Sequence, residues 1–231
     1  MPIALVGLDA DDTLWHNETV FRLTQQRFVE LLTPFADEQD LETKLGATEK
    51  KNLGTYGYGV KGFTLSMLET ALDVCGEDLP ASIVQAILAA GREMMTHPVE
   101  PLPGVPAALE RLAAQYRLVL ITKGDLFHQE SKLAASGLGE FFRGVEIVSE
   151  KSAATYRTVF ARHGSGEGEA LMAGNSVRSD ILPALEAGGY AALIPYPLVW
   201  EHEAAEKPTE HPRFRVLEGL TELPDWLATL P

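Results

Sequence analysis

Cysteine is nearly absent: Cys75 is the only one in 231 residues. That excludes an intrachain disulfide, a cysteine-rich zinc cluster and a CxxC redox pair. Cys75 follows Met67, Leu68 and Leu72 in an apolar helical stretch and reads as a core thiol. Basic residues are scarce too, with 19 Lys and Arg against 33 Asp and Glu and a net charge of −14. General nucleic-acid binding and docking on anionic membranes both need a basic surface, so neither partner is expected. No apolar stretch approaches the length of a bilayer crossing. The N-terminus lacks a basic segment followed by an apolar core and a cleavage site, which makes the cytoplasm the expected compartment. Long-period repeats and low-complexity tracts are also lacking.

What is present is the composition of a globular protein, 45% apolar and 23% charged, long enough for one sizeable core with a satellite domain. Short apolar runs recur at 3–8, 118–121, 145–148, 170–173 and 191–194. From residue 101 onward they alternate with helical patterns. Val105, Leu109, Leu112 and Tyr116 form one, Tyr156, Val159 and Phe160 a second, and Ile181, Leu182 and Leu185 a third before Gly188. Such alternation predicts a doubly wound α/β fold, a parallel sheet with helices on both faces.

Between Trp15 and Pro101 no strand is predicted. Phe21, Phe28, Leu31 and Leu32 make one helical stripe, and Phe63, Met67, Leu68, Ala71 and Leu72 another. Pro80 opens a third helix through Ile83, Ile87 and Leu88. The stretch G-T-Y-G-Y-G-V-K-G at 54–62 reads as a loop. The predicted organisation is an α/β core over 1–14 and 102–231, interrupted by a helical insert over 15–101.

In a doubly wound sheet, ligands bind beyond the carboxyl ends of the strands, where strand order reverses. Asp9 and Asp11 follow the first run, and Thr122, Lys123, Gly124 and Asp125 the second. Lys151 follows the third, and Asn175 and Asp180 the fourth. Residues i and i+2 of an extended segment point the same way, so Asp9 and Asp11 can share a site while Asp12 points elsewhere. Asp12 reads as a helix-capping or supporting acid, and Thr13 as part of the turn. Two such carboxylates repel unless a cation sits between them or one takes a proton. Oxygen ligands in modest number suit Mg²⁺. A lysine and a hydroxyl opposite the metal suit a phosphoryl group, and a carboxylate can attack it to form an aspartyl phosphate. Main-chain N–H groups around Lys123 and Gly124 suit phosphate as well.

Together, D-A-D-D-T-L at 9–14, Thr122, Lys151 and G-N-S-V-R-S-D at 174–180 resemble, in order, the four motifs of the haloacid dehalogenase-like hydrolase superfamily. The helical insert resembles that family's cap, spliced in after the first motif, so the resemblance spans the chain. It implies Asp9 as nucleophile and Asp11 as general acid and base. It implies Thr122 and Lys151 as ligands of the phosphoryl oxygens. Mg²⁺ would be held by the Asp9 carboxylate, the Asp11 main-chain carbonyl, Asn175 and Asp180. One departure stands out: the family's fourth motif usually has an acid where this chain has Asn175. On the insert, Tyr58 and Lys61 are candidate specificity residues, together with Tyr56 and with Trp15, His16 and Asn17 where the insert begins. His202, in P-Y-P-L-V-W-E-H-E at 195–203, reads as structural.

The expected activity is a Mg²⁺-dependent phosphatase acting on a small phosphorylated metabolite, as a monomer or homodimer. Three alternatives stay open. One is removal of halide from a 2-haloacid, whose enzymes in this family lack the second acid of the first motif. Another is phosphotransfer between sugar positions with the same residues. The third is a catalytically silent binding module, which only Asn175 favours.

Overall fold

The computed structural model describes residues 3–164, 169–198, 200 and 203–230. The chain divides into two compact units, Met1–Glu18 with Val99–Lys123 and Gln129–Pro231, and Thr19–Pro98 with Gly124–His128. Relative to the predicted boundaries, the chain leaves the first unit a few residues later and re-enters it slightly earlier. The segment Gly124–His128 after the second strand groups with the helices, and within that unit Lys61 pairs with Asp125 at 2.8 Å.

The first unit is built on a six-stranded parallel sheet, in the order β3-β2-β1-β4-β5-β6. Its strands are β1 (Leu5–Leu8), β2 (Arg117–Lys123), β3 (Gly144–Val148), β4 (Ala170–Gly174), β5 (Tyr190–Leu193) and β6 (Phe214–Val216). β1 lies inside the sheet, Leu8 standing opposite both Leu120 and Ala173. A parallel strand is buried on both faces and so reads as an unbroken apolar run, which made β1, β2 and β4 visible from sequence.

Alternate side chains feed opposite faces. Leu5, Val119, Ile121, Ala170 and Met172 pack against Tyr156, Val159 and Phe160 of α7 (Ala153–His163) and Ala184 of α8 (Leu182–Glu186). Val6, Leu8, Leu118, Leu120, Leu171 and Ala173 pack against Val105, Ala108 and Leu109 of α5 (Val105–Ala113). Leu223, Trp226 and Leu227 of α9 (Leu223–Leu227) cover the same face. Helices therefore flank both faces, as the alternation of patterns predicts. Each fully buried Leu or Val adds about 1.5–3 kcal/mol relative to exposure. β6 was not predicted: it is a three-residue edge strand, Phe-Arg-Val, with Val216 40% exposed, and so shows no buried run.

The second unit holds α1 (Glu18–Leu32), α2 (Glu38–Tyr56), α3 (Val60–Cys75) and α4 (Ala81–Met95), with Glu18 itself counted in the sheet unit. Its core is Phe28, Leu32, Leu41, Leu45, Val60, Phe63, Met67, Ile83 and Ile87. Cys75 is half-buried against it. Leu72, counted in a predicted stripe, is 56% exposed on the outer side of α3. α2 escaped the sequence reading because its buried residues are only Leu41, Leu45 and Asn52, too few for a clear stripe.

The predicted loop at 54–62 shrinks to Gly57–Gly59. Gly57, at φ 72°, closes α2 by donating its N–H to the Leu53 carbonyl at 3.1 Å, and Gly59, at φ 104°, opens α3. Two residues in the left-handed region suffice for the reversal, and the remaining glycines are helical. Among the described residues no helix is long and apolar enough to cross a membrane.

Candidate active site

β1 is flanked by β2 and β4, so the chain order reverses around it and a crevice is expected beyond its carboxyl end. Asp9 stands there, its N–H extending the ladder to the Ala173 carbonyl at 2.9 Å. Its side chain is 8% exposed. Thr13 donates to Oδ2 at 3.0 Å, and the Lys151 ammonium donates to Oδ1 at 2.5 Å. Thr13 therefore serves Asp9 directly as well as the turn.

Lys151 arrives from the chain between β3 and α7. Its N–H donates to Glu150 Oε1 at 3.0 Å, and the next residue, Ser152, caps α7 by accepting the Thr155 N–H at 3.1 Å. The same ammonium reaches Asp180 Oδ1 at 2.6 Å. Asp180 sits in a π-helical turn, Val177–Ile181, and is 1% exposed. Its Oδ2 accepts the Ser176 N–H at 2.9 Å, while Ser176 Oγ accepts the Ser179 N–H at 3.0 Å. Gly174 is required at the end of β4, since a Cβ there would lie 2.2 Å from Asp180 Oδ2.

Two buried carboxylates thus share one buried ammonium. Burial pushes Asp9 up to about 7, against the pull of Lys151 and with the repulsion of Asp180 adding to the rise. Burial would lower Lys151, but Asp180 and Asp9 more than offset it and hold the lysine charged. With both carboxylates ionised the trio carries one net negative charge in a buried setting, which is what drives the Asp9 carboxyl upward.

Asp11 has its own partners. Its side chain is 25% exposed and takes the Lys132 ammonium at 2.6 Å and the Trp15 Nε1–H at 2.7 Å, both on Oδ1. Gln129 donates to Oδ2 at 3.1 Å. Burial would raise this carboxyl, yet Lys132 foremost brings it below its ordinary range. Trp15 belongs to the sheet unit and is 1% exposed. Asp12, at φ 62°, accepts the N–H groups of Asn17 and Glu18 at 2.8 Å and 3.0 Å and so caps the entry to α1.

Thr122, 1% exposed, is the last residue but one of β2 and accepts from Gln129 at 2.7 Å. The Lys123 side chain goes to Ser179 Oγ at 2.9 Å and to Glu203 Oε1 at 2.7 Å. Gly124, at φ 136°, turns the chain away after β2. Asn175 is half-buried at the bend directly after β4.

Asp9, Lys151 and Asp180 are therefore brought into contact, while the Asp11 carboxylate is held apart by Lys132. Among the described residues no three of His, Cys, Asp and Glu converge as a metal cluster. Tyr58 lies in the Gly57–Gly59 connector, and Lys61, at the start of α3, pairs with Asp125 in the helical unit. Tyr56 donates to Glu69 at 3.0 Å, and His16 meets the Tyr196 hydroxyl at 2.6 Å. His202 lies outside the described residues.

Three site residues escaped the sequence reading: Gln129 and Lys132 on α6 (Leu126–Ser136), and Glu203. Glu203 accepts from Lys123, from Ser179 Oγ at 2.5 Å and from Ser176 Oγ, and Lys123 brings its carboxyl below the ordinary range despite burial. The available signal for the α6 pair was the i, i+3 spacing of two polar residues directly after the Thr122 turn.

Residues 3–188 match the family model described as haloacid dehalogenase-like hydrolase. No curated protein matches the chain. A haloacid dehalogenase-like family hydrolase from Xanthomonas campestris is 39% identical, with a TM-score of 0.88 over 98% of this chain and 91% of that one. The L-2-haloacid dehalogenase of Xanthobacter autotrophicus with chloropropionic acid covalently bound is 17% identical, with a TM-score of 0.66 over 99% of this chain and 100% of that one. A magnesium-bound HAD-type protein of Bacillus subtilis is 17% identical, with a TM-score of 0.64 over 98% of this chain and 99% of that one. At that identity the last two show a shared fold alone.

Proposed function

The chain belongs to the haloacid dehalogenase-like hydrolases, and from that premise we propose that it is a Mg²⁺-dependent phosphatase acting on a small phosphorylated metabolite. The charge balance at Asp9 supports this most directly. When both are ionised, Asp9 and Asp180 share the Lys151 ammonium as their one cationic partner, so a negative charge is left for a further cation to meet. The donors are oxygens, which suits a hard ion. The Asp9 carboxylate, the Asp11 main-chain carbonyl, the Asn175 amide oxygen and Asp180 would hold Mg²⁺. When bound it supplies positive charge to the phosphoryl oxygens.

Asp9 attacks phosphorus, and the bond from phosphorus to the ester oxygen breaks. The departing oxygen takes a proton from Asp11. Water then attacks the phosphorus of the aspartyl phosphate, gives one proton to Asp11 and releases Asp9 and inorganic phosphate. Lys151 and Thr122 neutralise and orient the phosphoryl oxygens, with main-chain N–H groups at Lys123 and Gly124. Glu203 engages the Lys123 side chain, so it is the backbone at that position that serves phosphate.

One observation favours a second reading, halide removal from a 2-haloacid. The Asp11 carboxylate already accepts from Lys132, Trp15 and Gln129, and a halide leaves without needing its proton. Assays of an aryl phosphate and of 2-chloropropionate, each with Mg²⁺ and with excess chelator, separate the two. Phosphate release that stops with chelator and returns with Mg²⁺ is expected. Halide release without phosphatase activity would replace the proposal. Because Asn175 brings no charge, Asn175→Asp should lower the Mg²⁺ needed for half-maximal rate. Coincident titrations would place residue 175 away from the metal.

A further inference from the structure

Gln129 and Lys132 lie one turn apart on α6 and share a face of that helix. They are 3% and 8% exposed, deep burial for an amide and an ammonium. Lys132 Nζ donates to Asp11 Oδ1 at 2.6 Å and to Asn17 Oδ1 at 3.1 Å. The Trp15 indole donates to the same oxygen of Asp11 at 2.7 Å. The Gln129 amide nitrogen lies 2.7 Å from Thr122 Oγ1, 2.9 Å from the Lys123 carbonyl oxygen and 3.1 Å from Asp11 Oδ2.

An amide –NH₂ carries two hydrogens, so it cannot serve three acceptors at full strength. The longest of the three contacts is the one to Asp11 Oδ2. The two oxygens of Asp11 are therefore held unequally. Oδ1 takes a charge-assisted bond and an indole bond, while Oδ2 has only a share of one amide. Gln129 also makes Thr122 Oγ1 an acceptor, leaving that hydroxyl's own hydrogen only a 3.4 Å contact with the Lys123 carbonyl. The hydroxyl is thereby free to donate to an incoming oxyanion.

We propose that Gln129 and Lys132 are positioning residues for the reaction: Lys132, with Trp15, anchors Oδ1 of Asp11, and Gln129 leaves Oδ2 to exchange the proton with leaving group and water while orienting the Thr122 hydroxyl. The assignment rests on the phosphatase reading, because only a leaving group that needs a proton gives Oδ2 this task. A lysine buried solely for packing would be a poor choice, since an apolar side chain of similar volume fills such a place at no desolvation cost.

The test compares Lys132→Met, Lys132→Arg and Gln129→Leu on an aryl phosphate, which leaves readily, and an alkyl phosphate, which needs the proton. The Trp15 indole N–H resonance, assigned with Trp15→Phe, reports on the Oδ1 anchor without reference to turnover. Lys132→Met should lose roughly 10²-fold in kcat on the alkyl phosphate and under about threefold on the aryl one, with KM little changed. Lys132→Arg should restore most of that loss. Gln129→Leu should raise KM on both substrates, through Thr122, and lower kcat on the alkyl phosphate alone. The Trp15 resonance should move in Lys132→Met and stay near its wild-type position in Lys132→Arg. Equal kcat losses on both substrates, or an unmoved Trp15 resonance in Lys132→Met, would overturn the assignment. If Lys132→Met does not fold, equal kcat losses on both substrates in Gln129→Leu overturn it as well. A wild type that hydrolyses neither phosphate instead defeats the phosphatase reading, and the Trp15 resonance then decides the anchor on its own.

Discussion

Among the described residues the helical unit buries Thr24, Asn52, Ser66, Thr70 and His128 as its polar side chains, with no Asp, Glu, Lys or Arg. The sheet unit buries Asp9, Asp12, Lys132, Lys151 and Asp180. Apolar packing accounts for the helical unit, in which the Thr70 hydroxyl is left without a hydrogen-bond partner. Charge at the sheet's carboxyl edge is another matter. Removing an ion from water costs several kcal/mol even after relaxation, so each buried charge must be met by an opposite charge or by N–H groups. Lys151 meets two carboxylates, Lys132 meets Asp11, and backbone N–H groups meet Asp12. Perturbed titratable groups cluster at functional sites, and the buried charges of this chain cluster at that edge.

The largest expected effect tests that contrast at its centre. Asp9→Asn should reduce turnover to background while leaving the fold intact. Because the native carboxyl is raised towards 7, its contribution to stability is full below its unfolded value and is lost as pH rises through the native one. In excess chelator, wild-type Tm should therefore fall more steeply from pH 5 to pH 8 than that of Asp9→Asn. Parallel curves would show that the carboxylate pair is better compensated than its geometry indicates.

Lys151→Met should follow, because it leaves Asp9 and Asp180 side by side without their cation. A loss of about 3 to 5 kcal/mol in denaturant unfolding is expected, together with loss of activity. Leu45→Ala in the helical unit, where the side chain is fully buried, should cost about 2 to 5 kcal/mol through the cavity it leaves. That cost should be the same at pH 5 and pH 8. A pH-dependent cost would blur the distinction between the two units.

The smallest effect lies within the sheet unit but away from its carboxyl edge. Glu146 meets Arg162 at 2.8 Å and His163 at 2.7 Å. Burial would raise its carboxyl, yet His163 and Arg162 bring it below the ordinary range. A depressed pKa contributes stability above the unfolded value and loses it as pH falls through the native one. Glu146→Gln should therefore cost about 0.5 to 1 kcal/mol at pH 7, with the difference from wild type closing below about pH 4. A difference that persisted at pH 3 would point to packing rather than charge.

What could be read from sequence followed how local each signal is. β1, β2 and β4 are unbroken apolar runs because a parallel strand is covered on both faces, and that requirement is written within four to seven residues. β6 and α2 bury too little along their own lengths to be visible, and sheet or helix neighbours hold them instead. The glycines at 54–62 marked a reversal, but only Gly57 and Gly59 turn the chain with positive φ, since neighbouring backbone had to select which ones did so. Asp9, Lys151 and Asp180 each follow an apolar run, so their places at the strand exits were enough to suggest that they share one edge of the sheet.

The partners of Asp11 and Lys123 could not be reached in the same way. Lys132 lies 121 residues from Asp11, and Glu203 lies 80 residues from Lys123. The sequence by itself determined which residues leave each strand at its carboxyl end, because strand period and apolar burial are short-range properties. Tertiary structure alone decided that one lysine lies between Asp9 and Asp180 while another is turned onto Asp11. Such pairings depend on how helices settle against the sheet, and a charge-assisted hydrogen bond forms only when its atoms come within about 3 Å, a proximity that no spacing along the chain encodes.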